Sequence, residues 1–158
     1  MADRIEVTSR VKDTRAEVKK RKIQSMGFEV DEVNLVDVYT LENLAGDMPS
    51  ETAASMLSNP VTQTVKVNQP NSPSRFNYAV EIGFLPGVTD NVAHTARETI
   101  VDLLHLGKDL KLEVFTSKVF LISGTVKLED IKKISLSLHN PLIEQGSIYS
   151  LLELKKQI

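Results

Sequence analysis

The side chains of this chain whose type and spacing could do chemistry are three histidines, a run of cations and a Thr-Asp pair ahead of a helical pattern. His94 and His105 stand 11 positions apart. On a helix that is a rise of roughly 16 Å, too far to share one metal ion. His139 runs into Asn140-Pro141, where a helix must stop, so it reads as a helix end and not as a catalytic histidine motif. Cysteine is absent, which removes thiolate zinc sites and cysteine nucleophiles together. The seven glycines fit neither of the standard phosphate-cradling loops. No G-x-S-x-G elbow is present, and no serine and carboxylate spacing marks a triad. Pro86-Gly87 reads as a strand-to-helix turn. Thr89 and Asp90 follow it, and Asp90 can accept from the free N–H groups of a helix start, where an anion could also sit. These residues mark no catalytic, cofactor-binding or metal position. The candidates left are anion or interface contacts at Arg15, Lys19, Lys22, Thr89 and Asp90.

The cations cluster in Lys19-Lys20-Arg21-Lys22. A solvated helix face is the simpler reading of such a run; a partner or an anion is the sharper one. Net charge is −2, against the strongly basic footprint of a protein that coats nucleic acid. Tryptophan is absent and aromatics are 5%, so base-stacking platforms are poorly supplied. The longest stretch without a charge, Thr52 to Val65, has 14 residues and is rich in Ser and Thr. A membrane span needs about 18 to 20 apolar residues, so none is expected. Met1 to Arg4 leads straight into a strand-like run, with no signal peptide pattern. A chain of this length can bury roughly 70% of its unfolded surface and needs no metal or disulfide to fold.

The elements that must position these groups come twice. Arg4-Ile5-Glu6-Val7-Thr8 matches Ala79-Val80-Glu81-Ile82-Gly83, 75 positions later. Val11-Lys12-Asp13-Thr14 matches Val88-Thr89-Asp90-Asn91 at 77. Val36 to Thr40 matches Leu112 to Thr116 at 76, and Asn59-Pro60-Val61-Thr62 matches Asn140-Pro141-Leu142-Ile143 at 81. Four matches in one order indicate a duplication, with loop insertions moving the offset. Residues 67–77, holding Pro70, Asn71, Ser72, Pro73 and Ser74, read as the linker between a first repeat over 1–66 and a second over 78–158.

Within the second repeat, Val88, Val92, Ala96, Ile100 and Leu103 recur at helical spacing. Leu112 to Phe115 and Val119 to Ile122 read as two strands around a turn at Thr116-Ser117-Lys118. Leu128, Ile131, Ile134 and Leu138 make a second helical stripe, and Ile148 to Leu154 a closing strand or short helix. The first repeat reads alike, with Thr14 to Glu17 as a capping box and Ser50 to Leu57 as its second helix. The predicted class is α+β: two tandem β-α-β-β-α-β repeats of ferredoxin-like order, antiparallel sheets with helices on one face, packed as a pseudo-twofold pair. At the 77-residue offset Arg15 falls on Val92 and Lys19 on Ala96, positions expected to face the core. Either the two cations snorkel past apolar surface, or this helix face meets a partner.

The run from Glu81 to Ala96, Glu-Ile-Gly-Phe-Leu-Pro-Gly-Val-Thr-Asp-Asn-Val-Ala-His-Thr-Ala, resembles a signature of phosphoribosylformylglycinamidine (FGAM) synthase, in its PurS-type module. Val36 to Thr40 and Asn140 to Glu144 resemble further stretches of that module. The resemblance spans about residues 4–41 and 79–145; the first copy lacks the Pro-Gly of the strand-to-helix turn. It implies a PurS-like assembly module of de novo purine (IMP) biosynthesis, in the cytoplasm, joining an ATP-dependent PurL-type synthetase region to a glutaminase and helping ammonia transfer. ATP and magnesium are then cofactors of the complete ligase, with none held by this chain, and no activity is expected of the chain alone. The duplicated chain is expected to be a pseudo-dimer, monomeric by itself, with no nucleic acid or membrane partner. Two other classes compete: a regulatory module binding a small metabolite between its halves, and an RNA-binding ferredoxin-like module, which would need exposed aromatics on central strands.

Overall fold

The computed structural model describes residues 2–44, 50–69, 75–105, 111–151 and 153. Six strands and four helices follow one another as β1 (Ala2–Ser9), α1 (Thr14–Ser25), β2 (Glu29–Glu42), α2 (Ser50–Met56), β3 (Gln63–Val67), β4 (Tyr78–Phe84), α3 (Asn91–Leu103), β5 (Glu113–Thr125), α4 (Leu128–Leu138) and β6 (Glu144–Ser150). The strands form one sheet in the order β3-β1-β2-β5-β4-β6. Every neighbouring pair is antiparallel. The class is therefore α+β.

Alternation along the strands makes two faces. Val33, Leu35, Val80, Ile82, Phe120 and Ile122 pack under Ala16 and Ile23 of α1 and Ile131, Ile134 and Leu138 of α4. Ile5, Val7 and Leu41 pack under Ala53 and Ala54 of α2 and Ile100 of α3. All four helices thus cover one face, and each helix pair draws one member from each half of the chain. On the opposite face Val36, Val38, Ala79, Val119 and Leu121 are buried with Phe76.

Several sequence expectations are corrected. Thr116-Ser117-Lys118 is no turn, because β5 runs unbroken through it. The three residues have no Gly or Pro to break a strand, and Ser117 and Lys118 are paired on both sides, with β2 and with β4. Each half therefore reads β-α-β-α-β, not β-α-β-β-α-β, and the sheets are one. The cap of α1 is Asp13, one residue before the expected Thr14: its carboxylate accepts the Arg15 N–H. On α3, Val92 and Leu103 are 57% and 60% exposed, and the buried stripe is Ala93, Ala96 and Ile100. Val92 instead lines an open cavity beside the helix start, so the covered stripe begins one residue later, at Ala93. Residues 70–74 of the expected linker, and Leu152 and Leu154 of the expected closing element, lie outside the described residues.

The ladders also move one sequence match. Glu6 pairs with Val38 and with Lys66, while Glu81 pairs with Val119 and with Ser147. With Glu6 set against Glu81, Val38 falls on Val119 and Lys66 on Ser147, both 81 apart. The counterpart of Val36 to Thr40 is then Ser117 to Leu121, not Leu112 to Thr116. Tyr39 and Phe115, 76 apart, point to opposite faces, and Phe115 is 49% exposed. The slip of five residues looked plausible because β2 and β5 carry apolar residues on both faces, Val33 and Leu35 against Val36 and Val38, and Phe120 and Ile122 against Val119 and Leu121.

The Asn-Pro turns keep their offset of 81. In each, the Asn side chain accepts the N–H two residues on, Val61 at 2.9 Å and Leu142 at 3.1 Å. In each, the fourth residue after Asn returns a side-chain oxygen to the Asn N–H, Gln63 at 2.7 Å and Glu144 at 2.9 Å. Arg10 N–H to Thr62 O and Leu85 N–H to Ile143 O tie the two turns to β1 and β4 in the same way.

Candidate functional site

The shift of 81 carries Asp37 to Lys118, and these two residues face each other across β2 and β5. Both side chains sit in the apolar phase of their strands, beside Leu35 and Tyr39 on β2 and beside Phe120 on β5. A charge in that phase persists where it is paired or where it reaches water, and Asp37 is paired with Arg15 while Lys118 is exposed. The N-terminal ends of α1 and α3 stop on either side of this spot and leave a crevice. A cavity of about 140 Å³ there is lined by Asp37, Tyr39, Val92, Thr116 and Lys118, with Glu144 at its rim. A groove of about 370 Å³ continues toward α1 along Arg15, Lys19 and Phe120. Another of about 410 Å³ continues toward α2 along Tyr39, Met56 and Thr95.

Arg15 crosses from α1 to the crevice. Its guanidinium donates to both Asp37 oxygens, at 3.2 and 2.7 Å, and to both Asp13 oxygens, at 3.2 and 3.0 Å. The fork offers enough N–H groups to hold two carboxylates at once. These bonds hold the Arg15 charge well above its already high ordinary range. Tyr39 is raised by burial and then by the Asp37 and Asp90 carboxylates, with Arg15 opposing, so its phenol stays neutral.

Across the crevice, Asp90 plays a different part. One oxygen caps α3 by accepting the Ala93 N–H at 2.9 Å. The other accepts the Thr116 N–H at 3.1 Å and the Thr116 hydroxyl at 2.6 Å. The Thr116 hydroxyl and Asp90 are close enough for a nucleophile and base. The carboxylate is, however, already holding a helix start and a strand amide, so the pair ties α3 to β5.

The five residues named from sequence do not converge. Arg15 and Asp90 flank the crevice. Lys19 lines the groove beside it and is half-buried. Lys22 lies further along α1, where its Nζ donates to Ser137 O of α4 at 2.8 Å. Thr89 is exposed. The expectation that Arg15 replaces a core residue is corrected, since its counterpart Val92 is exposed and its charge is balanced within the chain. His94 and His105 are exposed, and no cluster of three or more potential metal ligands occurs among the described residues. Sequence reasoning missed Asp37, Thr116 and Lys118. Their signal was a polar residue in the apolar phase of a strand.

On the opposite face, Glu6 and Glu81 share Arg4, at 2.9 and 3.2 Å. Ser117 Oγ donates to Glu81 at 2.8 Å. Glu6 is 4% exposed, so its charge needs that arginine. Burial alone would lower the Arg4 guanidinium, but the Glu81 and Glu6 carboxylates outweigh it and raise it.

The Asp13 carboxyl is pushed up by burial, but the Arg15 hydrogen bonds and charge outweigh that and hold it below its ordinary value. Its folded value lies below the unfolded one. The stabilisation it gives is therefore fully present above about pH 4 and disappears as pH falls through the folded value. Urea midpoints measured from pH 6 down to pH 2 should fall less steeply for Asp13→Asn than for the parent; parallel curves would refute the ion pair's role.

No helix among the described residues is long and apolar enough to cross a membrane. A scan against protein-family models and a search of curated proteins each found no match to this chain.

Proposed function

We propose that this chain is a PurS-type assembly module, built as a tandem repeat, which joins the synthetase and glutaminase regions of an FGAM synthase and takes no catalytic part itself. The observation that carries the reading is the matched hydrogen bonding of the two Asn-Pro turns, set beside the Glu81–Ala96 signature. Equivalent bonds at Asn59 and Asn140, and equivalent ladder partners of Glu6 and Glu81, are what a duplicated unit would retain. In that reading the β2–β5 pairing stands where two copies of a smaller subunit would meet about a twofold axis, which passes between Asp37 and Lys118. The surface for self-pairing is then already used, and sedimentation should find a monomer.

ATP and magnesium would belong to the synthetase region, and the chemistry at glutamine to the glutaminase. What this chain would supply is a rigid sheet with helix ends and the Lys19 side of α1 turned toward its partners. The test is reconstitution. The purified chain with formylglycinamide ribonucleotide, ATP and ammonia should form no amidine above background. Added to the separate synthetase and glutaminase regions, it should associate with them and restore glutamine-dependent amidine formation. Turnover by the chain alone, or no association with either region, would overturn the reading.

A second reading rests on the crevice at Asp37 and Lys118. A zwitterionic metabolite could place its carboxylate on Lys118 and be gated by Tyr39. Stabilisation of the chain by one amino acid or nucleotide, with no association with a synthetase, would favour it.

A further inference from the structure

The two halves differ in how they finish an exposed strand. β4 pairs with β5 only from Ser117 to Ile122, so the stretch of β5 before Ser117 lacks a strand on that side. Side chains close part of it: Asp90 takes the Thr116 N–H, and Arg97 Nε donates to Leu112 O, just before β5, at 2.8 Å. In the first half, β1 pairs with β2 only from Asp37 to Glu42. Val33 and Leu35 therefore meet no strand on the β1 side among the described residues.

Their peptide groups face that side. In an antiparallel ladder, residues alternate between pointing both N–H and C=O at one neighbour and at the other. The Thr116 N–H turns away from β2 toward Asp90, so Thr116 and Tyr39 are a pair without mutual bonds. With no bulge between them, Asp37, Leu35 and Val33 follow the same phase. Asp37 is met by Val7. Among the described residues Leu35, the counterpart of Thr116, has no such closure, because Asp13, the counterpart of Asp90, is occupied by Arg15. Lys20 stands where the second half has Arg97. A cavity of about 670 Å³ remains, bounded by Ser9 at the end of β1, by Ala16 and Lys20 of α1, and by β2 from Asp31 to Val36.

We infer that this notch is a strand-addition site that takes an extended peptide segment of a partner protein, running antiparallel to β2 as a continuation of β1. The inference stands on the strand edge and is independent of the assembly reading. Four peptide groups, the N–H and C=O of Val33 and Leu35, would supply the backbone bonds. Being flanked by both β1 and α1, the notch admits one extended segment and not the sheet edge of a second copy. Val33, Leu35 and Ala16 offer apolar contact on the helix side, and Val36 and Leu121 on the other. Val11, 64% exposed, borders the mouth. Asp31 and Glu32, both exposed, lie where the C-terminal end of an antiparallel segment would arrive. The occupant is therefore a β-branched, apolar segment followed by a basic residue.

The probe is acetyl-Thr-Val-Thr-Val-Thr-Lys-amide, with the same composition in reverse order as control. Amide exchange is read residue by residue by NMR. The forward peptide should bind with a dissociation constant of about 1 mM or tighter. At saturation it should slow exchange at Val33 and Leu35 by about tenfold or more, leaving Thr116 unchanged. The double substitution Asp31→Asn, Glu32→Gln should weaken binding by about two- to fivefold at low salt. Arg15→Val with Lys20→Arg, which imports the closure of the second half, should fold and lose binding by about tenfold. Equal binding of the reversed peptide would overturn the stated direction. Saturation without protection at Val33 and Leu35, or no binding up to about 5 mM, would overturn the site.

Discussion

Replacing Gly124 by alanine is expected to destabilise the chain by about 3 kcal/mol, the largest single effect foreseen outside the hydrophobic core. Gly124 lies on β5 opposite Val30, where β2 carries a bulge between Val30 and Glu32. A Cβ there would stand 2.3 Å from Glu29 O and 2.8 Å from Val30 Cα. Both are backbone atoms of the paired strand, so no side chain can swing aside; the strand itself must move. That strand is the floor under α1 and the wall of the notch at Val33 and Leu35. Gly87 supplies the control. It has φ +85° but open space around it. Gly87→Ala should therefore cost only the left-handed backbone term, about 1 to 2 kcal/mol. Gly124 has φ +157°, so its variant adds close approach to a backbone term, and urea unfolding of both variants reads the excess over Gly87→Ala. Gly124→Ala within 1 kcal/mol of the parent would contradict the described crossing, by the usual error of such comparisons.

Asp90→Ala is expected to cost about 2 to 3 kcal/mol, because it removes two functions at once. Loss of a helix cap is worth about 1 kcal/mol. Leaving the half-buried Thr116 N–H without its acceptor adds about 1 to 2 kcal/mol. Asp13→Ala should cost less, since Asp13 caps α1 but holds no strand amide. Exchange at the Thr116 amide should quicken in Asp90→Ala and not in Asp13→Ala. A double-mutant cycle with Thr116→Val isolates the hydroxyl bond. Equal losses for Asp90→Ala and Asp13→Ala would sink the claim that the two carboxylates act differently. The contrast bears on the notch, because Asp90 takes a strand amide at Thr116 while Asp13 takes none among the described residues.

The sequence alone determined the local elements. The C-terminal end of α4 follows from Asn140-Pro141, the start of α3 from Asp90, and the strands β1 and β4 from alternation around Glu6 and Glu81. These are short-range matters of capping, proline geometry and period, which neighbours in the chain decide. The α+β class followed from the order of those signals. The matched Asn-Pro turns were likewise legible, since their hydrogen bonds close within four residues.

Only the tertiary structure decided the rest. That β5 runs unbroken through Thr116-Ser117-Lys118 depends on strands paired on both sides of it, and neither partner is a sequence neighbour. That Glu6 pairs with Val38 and Glu81 with Val119 depends on ladder register, and a slip of five residues leaves no trace because β2 and β5 carry apolar residues on both faces. Asp37 and Lys118 meet because two long strands cross at their middles, 81 residues apart, where the helix ends leave the sheet uncovered. The balance of the Arg15 charge by Asp37 was invisible for the same reason: an ion pair 22 residues apart leaves no periodic trace. The stretch at Val33 and Leu35, which no described strand pairs on the β1 side, is the furthest from the sequence. It exists because β1 stops at Ser9 while β2 runs on, and strand lengths become an edge only when the strands are laid side by side.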